Sequence, residues 1–332
     1  MEVKVSGRTR DVGPLLRARF GQAVRKLPLR VGATCPTRDG TRGSRGCLFC
    51  AGTPASELSL EQQLEAGLAR LGDVAVIAYL QDHTATHLPA AQLDRILARL
   101  RACRRIVRIA IGTRPDCLPE PVLDVLARHG AAPLDGGPDL LVELGLQTAD
   151  DHILSFVGRL HTASDFSDAV RRLHREHLAV CAHVILGLPS PQGEPRGVWR
   201  GKGRTGALCA QDGALSPEPV AGAIRTARLL GELGVEAVKI HNCHVLRDTE
   251  LAALFFEGRY TPPTLDGYID RLAGFLEHLP STVEIHRLVA EARPPDLVAP
   301  KFCADKSRTL QQIRAELERR DVWQGSKWTE GS

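Results

Sequence analysis

The sequence predicts an α/β protein built on a parallel sheet covered by helices. Continuous apolar runs recur along the chain, and each is followed by a segment that carries helix-start signals. Polar clusters stand directly after the apolar runs, where the chain would leave each strand. Strands buried on both faces need apolar side chains on both sides, so they read as unbroken runs rather than as alternation.

In order, residues 12–25 read as a short amphipathic helix leading to a first strand at Leu27–Val31. Ser59 is placed to cap a helix that ends near Leu71, because its hydroxyl can accept from a free first-turn N–H. Val74–Leu80 is the second strand, followed by the polar turn Gln81–His87 and a helix from about Pro89 to Arg101. Ile106–Ile111 runs into Gly-Thr-Arg-Pro-Asp, and Pro119 opens the next helix. Leu140–Leu144 and Ala179–Leu186 are the fourth and fifth strands, with a helix at about 164–177 between them. Val235–Ile240 is the sixth, after a helix from about Pro219 to Leu233. Six such units fall short of the eight in a closed barrel. In a barrel the chemistry sits at the strands' C-terminal face, which would gather Gln81–Thr86, Thr113–Asp116, Gln147–Thr148 and His241–His244 at one mouth.

The chain divides into a helical lead-in (1–26), a strand–helix body (27–250) and a C-terminal extension (251–332). The extension holds a further strand at Val283–Leu288 and a charged helix at Lys306–Arg320, together expected to cover an open side. Ser190–Pro217, dense in Gly and basic residues, looks inserted after the fifth strand. A loop of that length is either functional or disordered. Its position favours a lid or a substrate contact, and its composition favours disorder.

Hydrophobic content of 43% with 25% charged residues is that of a soluble globular chain, and the net charge of +4 permits an acidic partner without requiring one. No run of eighteen apolar residues suggests a membrane span, and MEVKVSGRTRDVG lacks the apolar core of a secretory signal. Nine irregularly spaced cysteines do not form a disulfide framework and fit a reducing cytosol.

Three of them stand in Cys35-Pro-Thr-Arg-Asp-Gly-Thr-Arg-Gly-Ser-Arg-Gly-Cys47-Leu-Phe-Cys50. So much Gly and Pro forbids a helix, and the loop is expected to wrap something. A closed structural zinc site wants four protein ligands. A 4Fe–4S cluster on three cysteines leaves one iron open. By spacing alone, a structural zinc or unligated thiols stay in play.

This loop resembles the cluster-binding loop of the radical S-adenosylmethionine (SAM) superfamily. The superfamily's usual spacing is Cys-x(3)-Cys-x(2)-Cys, and the longer first gap is similar to that of the YhcC-like proteins related to the Elp3 catalytic domain. GTRPDC (112–117), ELGLQT (143–148), HVILGLP (183–189), KIHNCHVL (239–246) and the segment Pro300–Cys303 extend the resemblance along nearly the whole chain. It implies a partial (β/α)6 TIM-like barrel with a C-terminal α/β extension. It also implies a 4Fe–4S cluster on Cys35, Cys47 and Cys50, with SAM on the open iron. Reductive cleavage of SAM to a 5′-deoxyadenosyl radical would follow, with flavodoxin or ferredoxin as external electron donor.

The resemblance further assigns Gln147 to the methionyl or ribose part of SAM, Arg159 to its carboxylate and His183 to the ribose. Here the family's motif around Arg159 is stretched to GRLHTASDF, and a solvated Arg159 or a core His183 is the competing account. Arg114, with Asp116 and Thr84 nearby in the mouth, is SAM- or substrate-proximal, or else half of a structural Arg–Asp pair. Glu143 reads as a site carboxylate or a buried partner of a basic residue, and His241–His244 as a substrate contact rather than a metal site. Cys303 is a candidate hydrogen-atom donor to a substrate radical; the remaining cysteines read as apolar fillers. Elp3 kinship points to tRNA or another RNA as substrate, with a small metabolite or peptide left open. The other class is a non-catalytic iron–sulfur protein, a redox sensor or electron carrier.

Overall fold

Seven parallel strands form one sheet in the computed structural model, which describes residues 7–52, 56–81, 83–130, 137–191 and 215–330. They are β1 (Val24–Leu29), β2 (Ala75–Leu80), β3 (Ile106–Thr113), β4 (Asp139–Gln147), β5 (Ala179–Leu186), β6 (Ala237–Asn242) and β7 (Glu284–Arg287), hydrogen-bonded in chain order. Ten α-helices are described: α1 (Val12–Phe20), α2 (Leu60–Leu71), α3 (Ala90–Arg101), α4 (Glu120–Gly130), α5 (Asp151–Phe156), α6 (Ala163–Arg175), α7 (Val220–Glu232), α8 (Glu250–Phe256), α9 (Leu265–Glu277) and α10 (Lys306–Arg319).

Local signals set most of these boundaries. Ser59 and Gln62 form a reciprocal capping box at the start of α2, and Thr162 and Asp165 do the same for α6. Pro89 stands immediately before α3, where its missing N–H costs nothing. The first helix stops earlier than its amphipathic pattern suggested. Gly21, at φ 66°, takes the left-handed cap and the chain turns into β1 at Val24.

The sheet is strongly curved. Tyr79 on β2 and Lys239 on β6 are four strands apart, about 19 Å on a flat sheet at roughly 4.8 Å per strand. Yet the Lys239 ammonium donates to the Tyr79 hydroxyl at 2.8 Å. Only a sheet curled into a half-barrel brings those side chains together. Alternation then sorts the residues. Outward positions such as Val76, Ala78 and Leu80 join the main apolar core under the helices, with Leu93, Leu97 and Leu100 of α3. Inward positions include the polar residues Glu143, His183 and Lys239, and Leu141, Cys181 and Ala237 form a small apolar floor.

The seventh strand is one more than the six units expected. β7, foreseen as part of an extension, pairs in parallel with β6 and becomes the edge of the main sheet. The N-terminal segment works on the open side between β1 and β7. Ile285 of β7 donates to the Arg10 carbonyl at 2.8 Å, and α1 then leads to β1, placing Leu16 against Ile77 and Tyr79 inside the sheet. Gln324 accepts from the Arg10 N–H at 2.8 Å, so the C-terminal segment clasps this lead-in. The inserted segment is closed at its base by an antiparallel pairing of Pro189–Ser190 with Ser216–Pro217. Its basic residues Arg196, Arg200, Lys202 and Arg204 lie outside the described residues, as does Cys209.

Candidate functional site

The cysteine loop follows β1 and holds its shape through its own backbone. Arg38 and Asp39 N–H groups donate to the Cys35 carbonyl at 2.8 and 3.0 Å, and Gly46 N–H donates to the Thr37 carbonyl at 2.7 Å. Gly46 has φ 82°, and a Cβ there would meet the Arg38 side chain at 2.8 Å. Arg38 itself donates to the Cys50 carbonyl, tying the loop's two ends. Leu48 anchors the Cys47–Cys50 turn: its side chain is buried with Ile153, Val157 and Leu251, while its backbone bonds the Val157 carbonyl and the Leu251 N–H. That anchor leaves the flanking thiols free to face inward. Cys35, Cys47 and Cys50 all line one cavity of about 230 Å³ at the strands' C-terminal end.

The other wall of this cavity contains Gln147, Arg159, Arg114, Thr84 and His183. A register shift between Gly145 and Gln147 ends β4 in a bulge, and Gln147 sits at φ 80°. Bulges re-aim side chains, and here Gln147 is turned into the mouth. The Arg159 guanidinium is buried and donates to the Gly145 carbonyl at 2.9 Å, the His161 Nε2 at 3.1 Å and the Cys47 sulfur at 3.6 Å. It is not a solvated helix-start charge. Burial and the neighbouring Arg159 and Arg114 charges push the His161 imidazole down to about 3, so it accepts from Arg159 as a neutral ring. Arg114 makes the expected bidentate pair with Asp116, at 2.9 and 3.0 Å, and its Nη2 also donates to the Arg159 carbonyl at 2.6 Å. Its remaining Nη1 and the Thr84 hydroxyl are buried without partners in a cavity they both line.

Beneath these groups lies a polar layer that sequence inspection saw only in part. Glu143, fully enclosed, accepts from Lys239 at 2.6 Å, His183 at 2.7 Å and Lys26 at 3.1 Å. Burial would push the Glu143 carboxyl up, but Lys239, the His183 hydrogen bond and Lys26 outweigh it and hold it well below the usual carboxylate range. Burial pulls Lys239 down to about 8 against the pull of Glu143. His183 is pushed to about 4 by burial and Lys239, so as a neutral ring it donates its Nε2 proton to Glu143. Lys26 and Lys239 stand over the Tyr79 ring at 4.8 and 4.3 Å, and Arg287 contacts the His241 ring. Of the two alternatives read for Glu143, the structure shows the buried partner of basic residues; Lys26, Tyr79, Lys239 and Arg287 were not foreseen. The available signal was a charged residue inside an apolar strand, as in Val238-Lys239-Ile240.

A second cavity of about 300 Å³ shares Phe49, Cys50, Gln147, His183 and His241 with the first and continues to His244 and Leu246. Cys303 corrects the expectation of a thiol at the mouth. It is fully buried, accepts from the Asn242 amide at 2.7 Å and lines neither cavity, whereas Asn242 lines the second.

Among the described residues no three His, Cys, Asp or Glu side chains are arranged to hold a single metal ion.

A family model for the radical SAM superfamily matches residues 39–195, and one for the radical SAM C-terminal domain matches 235–319. Protein YhcC of Escherichia coli K12 is 31% identical over 317 residues, covering 94% of this chain and 92% of that one. The chain belongs to the radical SAM superfamily. Its YhcC-like standing within that superfamily rests on the same alignment. The tRNA uridine(34) acetyltransferase of Methanocaldococcus jannaschii is 26% identical over 184 residues, 55% of this chain and 28% of that protein. Among solved structures, Methanocaldococcus infernus Elp3 superposes with a TM-score of 0.63 at 17% identity, over 91% of this chain and 64% of that one, and this shows the shared fold.

As a radical SAM protein the chain is an enzyme, and its cofactors are a 4Fe–4S cluster and SAM. The residues of the first cavity fit that pair: three thiols on one loop, with unpartnered donors from Thr84 and Arg114 opposite. No helix among the described residues is long and apolar enough to cross a membrane.

Proposed function

We propose that Cys35, Cys47 and Cys50 hold the cluster by three of its irons, and that Gln147, Arg159, Arg114, Thr84 and His183 hold SAM beside the fourth. A cluster held there would supply SAM with an electron drawn from an external donor such as flavodoxin or ferredoxin, and SAM would in turn supply the 5′-deoxyadenosyl group for hydrogen abstraction from the substrate, with methionine as the other product. The chain's own residues bind and orient. Arg159 fixes the thiol loop against the end of β4, and the bulge at Gly145 presents the Gln147 amide. Leu48 and its apolar neighbours seal the loop's outer side from water. The observation that carries this assignment is that all three thiols open on the same cavity as the buried, unpartnered donors. Anaerobically reconstituted protein should form 5′-deoxyadenosine and methionine, and Ala at Cys35, Cys47 or Cys50 should abolish both cluster and products. Full iron and sulfide content in all three variants would overturn the assignment.

The substrate we infer is RNA, with tRNA first. Support comes from the alignment with a tRNA uridine acetyltransferase over 55% of this chain. Binding of bulk tRNA should weaken steeply with salt, since phosphate contacts release counterions. A holoenzyme that ignores tRNA at low salt would shift the choice to a small molecule or peptide.

A further inference from the structure

We propose that the polar layer beneath the cofactor site binds an oxyanion of the substrate, a carboxylate or a phosphate, through the Arg287 guanidinium. This deepens the function proposed above and rests on the barrel mouth being the substrate's compartment.

The layer carries an excess of positive charge. Lys239, Arg287 and the single carboxylate of Glu143 line one cavity, and Lys26, outside that lining, pairs with the same Glu143 at 3.1 Å. Lys239 is committed, since it bonds both Glu143 and the Tyr79 hydroxyl. Arg287 is not. Its contact is the His241 ring, a neutral partner, and its Nε is buried with none. Among the described residues no carboxylate forms an ion pair with it, and a buried guanidinium without an acid is costly. Lys26 gives one hydrogen bond to Glu143 and keeps two hydrogens on a side chain that remains 36% exposed, so it adds positive charge behind Glu143.

The histidines do not change this balance, because burial keeps His183 and His241 neutral. An oxyanion supplies the missing charge and meets the planar fork of Arg287, which suits carboxylate and phosphate alike. Of the other arginines that line the cavity, Arg159 is already bound to Gly145, His161 and Cys47, Arg114 to Asp116 and the Arg159 carbonyl, and Arg38 to the Cys50 carbonyl. Among the described residues Arg287 is thus the one lining arginine without an oxygen acceptor, which leaves it for the substrate.

The bound cluster is itself negative and could offset the excess, so the test uses holoenzyme saturated with SAM. That protein is titrated anaerobically with sodium phosphate and, separately, sodium acetate, each against sodium chloride of equal ionic strength. The thermal midpoint and titration heat are followed. Saturable binding of either anion is expected, at least tenfold weaker in Arg287→Met and partly restored in Arg287→Lys. Stronger binding of phosphate identifies a phosphate group on the substrate, and stronger binding of acetate a carboxylate. If the parent responds to neither anion beyond chloride, or Arg287→Met and Arg287→Lys both bind like the parent, the proposal fails. The parent's 5′-deoxyadenosine production separates the two layers of argument. An anion-blind parent that still cleaves SAM loses only this inference, whereas a parent that cannot cleave SAM loses the function it rests on.

Discussion

Arg159 reaches the Cys47 sulfur at 3.6 Å while the same guanidinium donates to the Gly145 carbonyl at 2.9 Å. One side chain thus joins the thiol loop, which follows β1, to the end of β4. Under the proposed assignment, cofactor grip and cluster environment would be coupled through it.

Replacing Arg159 by Ala should therefore do two things at once. Iron content should stay intact, because guanidinium is not a cluster ligand. SAM affinity should fall roughly tenfold to a hundredfold, the worth of a charge-assisted hydrogen bond at about 1.5–3 kcal/mol. The reduced cluster's electron paramagnetic resonance spectrum should also move before SAM is added, since a donor to a thiolate sulfur has gone. An unchanged spectrum together with unchanged SAM binding would make Arg159 purely structural.

Gly145 should tolerate no side chain. A Cβ would stand 2.9 Å from both the Arg159 Nη2 and the Gln147 Nε2, so the two polar side chains would have to move. Gly145→Ala should keep its fold and its iron and lose SAM affinity about as far as Arg159→Ala does. Combining the two substitutions should cost little more than either alone, because they act on one contact. Full additivity in a SAM titration would show independent effects.

Glu143→Ala should be strongly destabilising. It strands the buried Lys239 ammonium, and breaking a buried ion pair from one side costs about 3–5 kcal/mol. Adding Lys239→Met should recover much of the loss, since the stranded charge is then removed. Urea unfolding of the single and double variants measures the coupling. A double variant no more stable than Glu143→Ala would rule out the stranded charge as the cause.

Stability should fall as acid is added, partly through His244. Burial and the Arg287 charge push its folded imidazole down to about 4, from 6.5. Below pH 6.5 the unfolded chain takes up the proton first, so the contribution is fully present above 6.5 and lost as pH falls toward 4. The whole effect is about 3 kcal/mol. Urea midpoints of the anaerobic holoenzyme between pH 7.5 and 5 should decline, and His244→Leu should flatten the decline by up to one proton. An equal slope in both proteins would mean that His244 titrates normally.

Caps, prolines and apolar runs are local signals, and the sequence was sufficient for the elements they set. The capping box at Ser59, the run Ala179–Leu186 and the Gly- and Pro-rich cysteine loop were legible because each acts within a few residues. The three thiols were legible as a group for the same reason. Tertiary structure alone decided what faces them. The polar layer draws Lys26, Tyr79, Glu143, Lys239 and Arg287 from five strands, and Lys239 meets Tyr79 across 160 positions of sequence. Nothing in either neighbourhood records that meeting, because it depends on how far the whole sheet curls. The aim of Gln147 depends on a bulge against β5, and Cys303 is buried with its sulfur on the Asn242 amide, both through pairings remote in sequence. Periodicity shows that a side chain lies on one face of a strand; curvature and register, which sum many non-local contacts, decide what it meets there.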